Sequence, residues 1–418
     1  MNKLAATVLL ILLVFISNVW GNELDDPHKL AKMAIKLNPG IESISNKIDS
    51  LEYAKEASSI WSDPVLSVNY LNTPYNSLAM GETAMSALQI MLKQTFPLPG
   101  KNPKRVSILS SELKASKHYL EEEKQKLAYE IISNYWKLML IRELEIIYQK
   151  HLKLLDGLIL SVRSKYQTGK SLQQDLLSLE VLKEKLTDDL GDFKKDKIKQ
   201  LSKINFLMDW KLNTEIKTPT FFMADKINYT NEKLYELAEK GNYLLKYLKE
   251  IIQKEKIKAE QIDFERWPDL SVFGGYSIRQ EAGLDNGRDF LSFGISMPIP
   301  VNYTGSFKNK KNELLKNALS FENRYNDTLN EIKSKIDHSM ANWMRAYKKA
   351  NNYETKLIVL SETSYQTTLS AYKSDITDFS SLYEAQLQLL EFEKTLIVSK
   401  IGTKIEKIKV ETIIGKSL

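Results

Sequence analysis

The sequence predicts a mixed, mainly α protein: long antiparallel coiled-coil hairpins joined to four membrane-length β-strands, with the whole pattern written twice along the chain. Three observations predict it. First, only 16 glycines and 11 prolines occur in 418 residues, well under the usual combined share of about 12%, which leaves room for very long helices. Second, apolar residues recur every seven positions through two long segments, the mark of helices packed as coiled coils. Third, four segments of roughly ten residues alternate apolar with small polar side chains, which is the length of a tilted strand that crosses a bilayer.

Composition excludes several classes. The 43% hydrophobic and 27% charged content is that of a folded chain. Cysteine is absent, which removes disulfides, thiolate metal sites, cysteine nucleophiles and acylation at a lipobox cysteine. The 59 basic and 53 acidic residues leave a net charge of +6 spread along the chain. Nucleic-acid binding requires clustered positive charge, so these charges read as solvated helix faces.

The first 21 residues read as a signal peptide. Lys3 precedes the apolar run Leu4–Ile16, and Val19-Trp20-Gly21 supplies the small-residue cleavage site. The run is shorter than the roughly 20 residues of a spanning helix, which speaks against a retained anchor. A secreted chain without a spanning helix ends in the periplasm, outside the cell, or in an outer membrane as β-strands.

The remainder repeats itself. Leu30, Ala34 and Asn38 are matched by Leu234, Ala238 and Asn242 at an offset of 204, and Pro64-Val65-Leu66-Ser67-Val68 by Pro268-Asp269-Leu270-Ser271-Val272 at the same offset. Pro97-Leu98-Pro99 is answered by Pro298-Ile299-Pro300. Tyr166-x2-Gly169-x5-Asp175-Leu176 is answered by Tyr372-x2-Asp375-x5-Ser381-Leu382. The expected division is a first repeat over 22–210, a linker over 211–230 and a second repeat over 231–418.

Each repeat is expected to run helix, two strands, two long helices. A helix over 28–60 stops before Asp63-Pro64, since proline disfavours helix in the residue ahead of it. In the first strand, about 64–72, Leu66, Val68 and Tyr70 share one face and Ser67 and Asn69 the other. A turn-rich loop with Pro74, Asn76 and Gly81 leads to a second strand, about 86–96, with Leu88, Ile90 and Leu92 opposed to Gln89 and Lys93. The second repeat places strands at about 268–279 (Leu270, Val272, Tyr276, Ile278) and about 289–298. In the latter, Leu291, Phe293, Ile295 and Met297 alternate with Ser292, Gly294 and Ser296. An apolar face and a small polar face suit lipid on one side and water on the other; a half-buried hairpin pair on a soluble domain is the other reading of such strands. About eight strands is the smallest closed barrel, and an open edge in hydrocarbon leaves backbone groups unpaired at several kcal/mol each. If these strands enter a bilayer, several chains must share one barrel.

The helices that follow are long. From Lys104 to Lys165 there is no proline, and the heptad positions are Leu113, Leu120, Leu127, Asn134, Ile141, Tyr148, Leu155 and Val162. A second seam carries Ile131, Leu138, Leu152, Ile159 and Tyr166. At 1.5 Å per residue this rod is on the order of 90 Å. The chain turns near 166–172 and returns with Leu172, Leu179, Leu186 and Phe193. A second hairpin, about 306–371 and 376–410, turns at about 372–378.

This layout resembles the TolC-like outer membrane factors, or outer membrane efflux proteins, of bacterial efflux and secretion systems. The likeness rests on Gln94-Thr95-Phe96-Pro97-Leu98-Pro99-Gly100-Lys101, on Tyr166-x2-Gly169-x5-Asp175-Leu176-Leu177, on Trp267-Pro268-x-Leu270 and on the Tyr372 echo. It implies a homotrimer in the bacterial outer membrane, with a twelve-stranded barrel, a hollow periplasmic helical cylinder and an equatorial belt drawn from 211–230 and the C-terminal tail. It also implies a periplasmic adaptor and an inner-membrane transporter as partners, outer-membrane lipid around the strands, and no cofactor. At the tips, the resemblance implies a closing bond between Asp175 and Tyr372, with Tyr166 and Gly169 shaping the first turn. Acidic rings narrow the entrance in such proteins at positions matching Ser381 and Glu384. Ser381 and Thr377 depart from that pattern, Asp375 replaces the second tip glycine, and a ring of Glu384 with Asp378 is the expected constriction, favouring cations.

The residues themselves carry no sign of catalysis. No phosphate-binding G-x-x-x-x-G-K-[ST] loop and no H-E-x-x-H motif occurs. His28, His118, His151 and His338 lack metal-ligand spacing and read as surface residues, and no carboxylate pair stands out as an acid/base dyad. The leading expectation is a passive outer-membrane exit duct of a tripartite efflux system. The duct of a type I protein secretion system shares the fold, and a non-pore secreted coiled-coil scaffold is the reading from another class. The Pro-Leu-Pro-Gly-Lys segment is similar to the heavy-metal efflux branch, which adds metal cations to small molecules as candidate cargo.

Overall fold

A computed structural model describes residues 26–77, 79–210, 216, 222–299 and 303–416. The leader 1–21, half of the linker 211–230 and Pro300 of the second Pro-Ile-Pro segment lie outside these residues. In chain order the elements are α1 (Pro27–Leu37), α2 (Pro39–Ala57), β1 (Val65–Leu71), β2 (Ala87–Phe96), α3 (Lys101–Gln167), α4 (Gln173–Leu207), α5 (Asn231–Gly241) and α6 (Tyr243–Glu265). Then come β3 (Leu270–Arg279), β4 (Phe290–Ser296), α7 (Tyr303–Asn352), a π-turn (Tyr353–Leu357), α8 (Ile358–Lys373) and α9 (Phe379–Ile413). Among the described residues no helix is long and apolar enough to cross a membrane.

The described residues divide into two compact units, each drawn from both halves of the sequence: those within 26–43, 120–243 and 329–416, and those within 44–119 and 244–328. In the second unit the four strands form one antiparallel sheet in the order β1-β2-β3-β4. The register sets Leu66 against Leu92, Val68 against Ile90, Ile90 against Tyr276, and Tyr276 against Leu291. The apolar alternation of all four strands therefore falls on a single face. Gly294 lies opposite Phe273 on the other face, where a Cβ would stand 2.3 Å from the Phe273 ring; the ring covers the bare backbone, as cross-strand aromatics do.

The single helix expected over 28–60 is two helices. Asn38 adopts an extended backbone (φ −71°, ψ 118°) between α1 and α2. Its side-chain oxygen accepts from the Gly40 amide at 2.9 Å, capping α2, while its side-chain nitrogen donates to the Leu207 carbonyl at 3.0 Å. Pro39, which lacks an amide proton, makes this a natural break. Asn242 makes the equivalent break between α5 and α6 without a proline, and its side chain donates to the Ile413 carbonyl at 2.9 Å.

In the first unit the helices bury two apolar clusters. One joins Leu30, Ala34, Ile131, Tyr135, Leu138, Ile204 and Ile408. The other joins Leu155, Val162, Leu179 and Leu186 of the first hairpin to Tyr365, Tyr372, Leu382 and Leu389 of the second. Each such fully buried aliphatic side chain contributes about 1.5–3 kcal/mol of transfer free energy. The heptad positions Leu127, Asn134, Ile141, Tyr148, Leu155 and Val162 are buried as expected, whereas Leu120 is half-buried. The seams stop short of the turn: Tyr166 is 43% exposed, and Leu172 is exposed because it caps α4 from outside the helix.

One histidine departs from expectation. His151 is fully buried between α3 and α9. Its Nδ1 accepts from Gln386 Nε2 at 2.7 Å, and its Nε2 faces Glu393 Oε2 at 3.1 Å. Burial pushes the Glu393 carboxyl up, but hydrogen bonds from His151 and from Lys150, 2.6 Å away, outweigh it and leave the group lowered. A buried histidine is tolerable here because both ring nitrogens are satisfied.

The α9 terminus meets the end of α5 at a glycine pair. Gly415 has φ +69°, and a Cβ on Gly241 would stand 2.1 Å from the Ile414 carbonyl oxygen. A rigid backbone atom cannot yield that space, so Gly241→Ala is expected to destabilise the protein by about 2–3 kcal/mol. Gly402→Ala, whose Cβ would meet only Ala346 at 3.5 Å, should be neutral or stabilising by up to about 1 kcal/mol. Guanidinium unfolding of the two variants side by side checks the contrast; equal midpoints would contradict the close approach.

Candidate functional site

The sheet offers the first functional surface. Leu66, Val68, Ile90, Leu92, Val272, Leu291, Phe293 and Ile295 stand exposed on one face, Phe293 at 80% of its full area. An unpartnered apolar band of this kind marks contact with lipid or with another protein. The opposite face carries Ser67, Asn69, Gln89, Thr95, Ser271, Ser277, Ser292 and Ser296, cross-linked by hydrogen bonds such as Thr95–Ser271 at 2.9 Å. At the helix-proximal end of the strands stand Trp61 and Trp267, both exposed, with Trp61 edge-on to Phe96 at 5.3 Å. Tryptophan is enriched where an apolar band of a membrane protein meets water. Trp61 was not singled out in the sequence, although an exposed tryptophan just ahead of an amphipathic strand is a legible signal. The Pro-Leu-Pro-Gly-Lys segment closes the sheet onto α3. Gly100 turns at φ +102° over the Phe264 ring, and Lys101, buried, pairs with Asp269 at 2.5 Å.

The second functional surface is the pair of helical turns in the first unit. The α3–α4 turn ends in a left-handed residue, Gly169 (φ +73°), with the Lys170 amide bonded back to the Lys165 carbonyl at 2.8 Å. The α8–α9 turn is built the same way: Asp375 takes the left-handed position (φ +59°), and the Ile376 amide bonds to the Ala371 carbonyl at 2.9 Å. Such helix ends favour glycine, and Asp is among the few other residues that tolerate them. The replacement of the tip glycine by Asp375 thus leaves the turn intact.

Asp375 then does what glycine cannot. Its carboxylate accepts from Lys165 Nζ and, at 2.7 Å, from Lys170 Nζ, both on the other turn. Lys165 also donates to the Tyr372 carbonyl and lies 4.2 Å from the centroid of the Tyr372 ring. These bonds, that of Lys165 foremost, hold the Asp375 carboxyl at about 2, against an ordinary 3.8. The ammonium is thereby fixed by a carboxylate, a carbonyl and an aromatic face together. A cleft of about 500 Å³ is bordered by Lys165, Lys170, Ser171, Asp175, Asp375 and Asp378.

The bond expected between Asp175 and Tyr372 is not made. Asp175 Oδ2 accepts from the Ser171 hydroxyl at 2.7 Å and from the Leu172 amide at 3.1 Å. It thus serves the first turn of α4, where free amide protons and the helix dipole favour a carboxylate. Tyr372 is buried, 4% exposed, and its hydroxyl has no hydrogen-bond partner. Asp378 caps α9 by accepting from the Ser381 amide at 2.9 Å, which lowers its carboxyl below the usual range. Ser381 and Glu384 are exposed on α9, three residues apart and so on neighbouring positions of one face. Lys165 and Lys170 were not foreseen; their partner lies 210 and 205 residues away, beyond the reach of local pattern. Among the described residues no group of three or more His, Asp or Glu side chains is placed to hold a metal ion.

Long helical hairpins together with one four-stranded antiparallel sheet define the fold of the TolC-like outer-membrane channel subunits. The chain shares this fold with CusC, whose crystal structures concern folding and transmembrane channel formation (TM-score 0.78, 11% identity, covering 95% of this chain and 92% of CusC). It shares it equally with the outer membrane protein VceC of Vibrio cholerae (0.77, 12%, 93% and 96%) and with the CmeC outer membrane channel of Campylobacter jejuni (0.77, 15%, 95% and 87%). No protein-family model matches the sequence, and no curated protein matches it significantly.

The depressed Asp375 carboxyl favours the clamped state at every pH above its unfolded value of 3.8, and the contribution is lost as pH falls through about 2. Amide exchange over 166–172, corrected for its intrinsic pH dependence, should therefore be the same at pH 7 and pH 5. It should rise several-fold in Asp375→Asn, whereas Asp175→Asn should loosen the first turn of α4. Unchanged protection in Asp375→Asn would show that the clamp holds nothing.

Proposed function

We propose that the chain is one subunit of a homotrimeric exit duct in a bacterial outer membrane, a passive conduit of a tripartite efflux system. The observation that carries this reading is the sheet: four strands, apolar on one face and polar on the other, with β1 and β4 each leaving an edge that no strand among the described residues pairs. In hydrocarbon such edges must be closed, and three copies placed edge to edge give a twelve-stranded barrel with its polar face inward. The likeness over 93–95% of the chain to outer-membrane channels supports the same arrangement. The long hairpins would form the periplasmic section, and their turns would meet a periplasmic adaptor coupled to an inner-membrane transporter, which supplies the energy. We read the chain as no enzyme. The tandem repeat, with its division at 211–230, is supported by the matching breaks at Asn38 and Asn242 and by the matching left-handed residues Gly169 and Asp375.

At the turns, the clamp of Asp375 on Lys165 and Lys170 takes the place of the Asp175–Tyr372 bond as the device that keeps the hairpins together. Glu384, with Asp378 at the head of the same helix, remains the proposed acidic constriction, with Ser381 between them.

Purified protein should migrate as a trimer in detergent, partition with the outer membrane and conduct ions in planar bilayers. Asp375→Asn should raise basal conductance several-fold while Asp175→Asn should not. A monomer that conducts nothing would overturn the reading.

A further inference from the structure

Of all residues in β1–β4, only two carry a charge, Lys93 and Arg279, and both are basic. The register puts both on the polar face: Lys93 stands between Val65 and Phe273, and Arg279 opposite Ala87. Arg279 is not available as a free charge. Its guanidinium pairs with Asp285, donates to the Arg288 carbonyl at 3.2 Å and lies 4.3 Å from the Phe290 ring centroid. Lys93 enters no ion pair among the described residues. Its neighbours on that face are Ser67, Met91, Thr95, Ser271 and Gly275, none of them acidic. The carboxylates nearest in sequence to the strand starts are Asp63, which lies outside β1, and Asp269, which is bonded to Lys101.

We propose that Lys93 sets the ionic preference of the outer-membrane section: one lysine per subunit, three to a ring, lining the lumen and favouring anionic over cationic solutes. This rests on the proposed barrel. A cation held between low-dielectric walls projects its field into the channel rather than into bulk water, so few charges suffice to bias what passes. The preference would act against bare metal cations and for cargo that carries a negative charge.

The cysteine-free chain makes the test local. A thiol introduced as Met91→Cys sits two residues from Lys93 on the same face, and Phe293→Cys sits on the apolar face. Trimers in liposomes are treated from outside with an anionic and a cationic methanethiosulfonate of similar size. With Lys93 present the anionic reagent should be favoured at Met91→Cys; adding Lys93→Gln should lower the ratio of the two rates about tenfold, and Lys93→Arg should keep it. An unchanged ratio in Lys93→Gln, with the trimer intact on a gel, overturns the role of Lys93 and leaves the duct standing. Reaction at Phe293→Cys but not at Met91→Cys would mean that the polar face is not the lumen, and both proposals fall.

Discussion

The two unpaired edges of a four-stranded sheet constrain everything else in this molecule. A backbone amide or carbonyl left without a partner in hydrocarbon costs several kcal/mol, and β1 and β4 each present a row of them. Burying the apolar face against a helix would satisfy an ordinary soluble sheet, yet here that face is open along all four strands. In hydrocarbon such strands would need further strands to close their edges. Charge within the strands is sparse, Lys93 and Arg279 alone carrying it, as suits a sheet whose apolar face meets lipid in the proposed barrel.

The sheet was legible in the sequence because its period is two and its face assignment is strict: slipping one residue would move every apolar side chain to the polar side. Leu291, Phe293 and Ile295 announce this without ambiguity. The long helices were legible through their heptads, up to the last turn, where Tyr166 emerges into solvent while its counterpart Tyr372 stays buried. What escaped was of two kinds. The break at Asn242 has no proline to signal it, and it is set by a bond to the Ile413 carbonyl, 171 residues away. His151 looked like one more scattered histidine because Gln386 and Glu393, which make its burial tolerable, come from the far hairpin.

The turns show how resemblance and local physics diverge. Position 175 carries the expected aspartate, but a carboxylate in the first turn of a helix has partners at hand, the Ser171 hydroxyl and the Leu172 amide, at no cost in chain ordering. Tyr372 would have to compete for it across two hairpins. Meanwhile Asp375 accepts the left-handed backbone a glycine would have taken and spends its side chain on Lys165 and Lys170. The two turns are joined here through Asp375 and the two lysines, while Asp175 serves its own helix.

The helical path widens by one residue in the π-turn at Tyr353–Leu357, between α7 and α8. One residue added to an unbroken α-helix would rotate all that follows by roughly 100° about the axis, and the wider turn takes that residue up instead. The seven-residue spacing of the buried Ile336, Trp343 and Ala350 on α7 therefore resumes one position late on α8, at Tyr365 and Tyr372. A chain shortened by a single residue within 353–357 could close this turn to ordinary α-helix and still bring Tyr365 and Tyr372 to the stripe they now occupy, so chain length can change here without a change of packing.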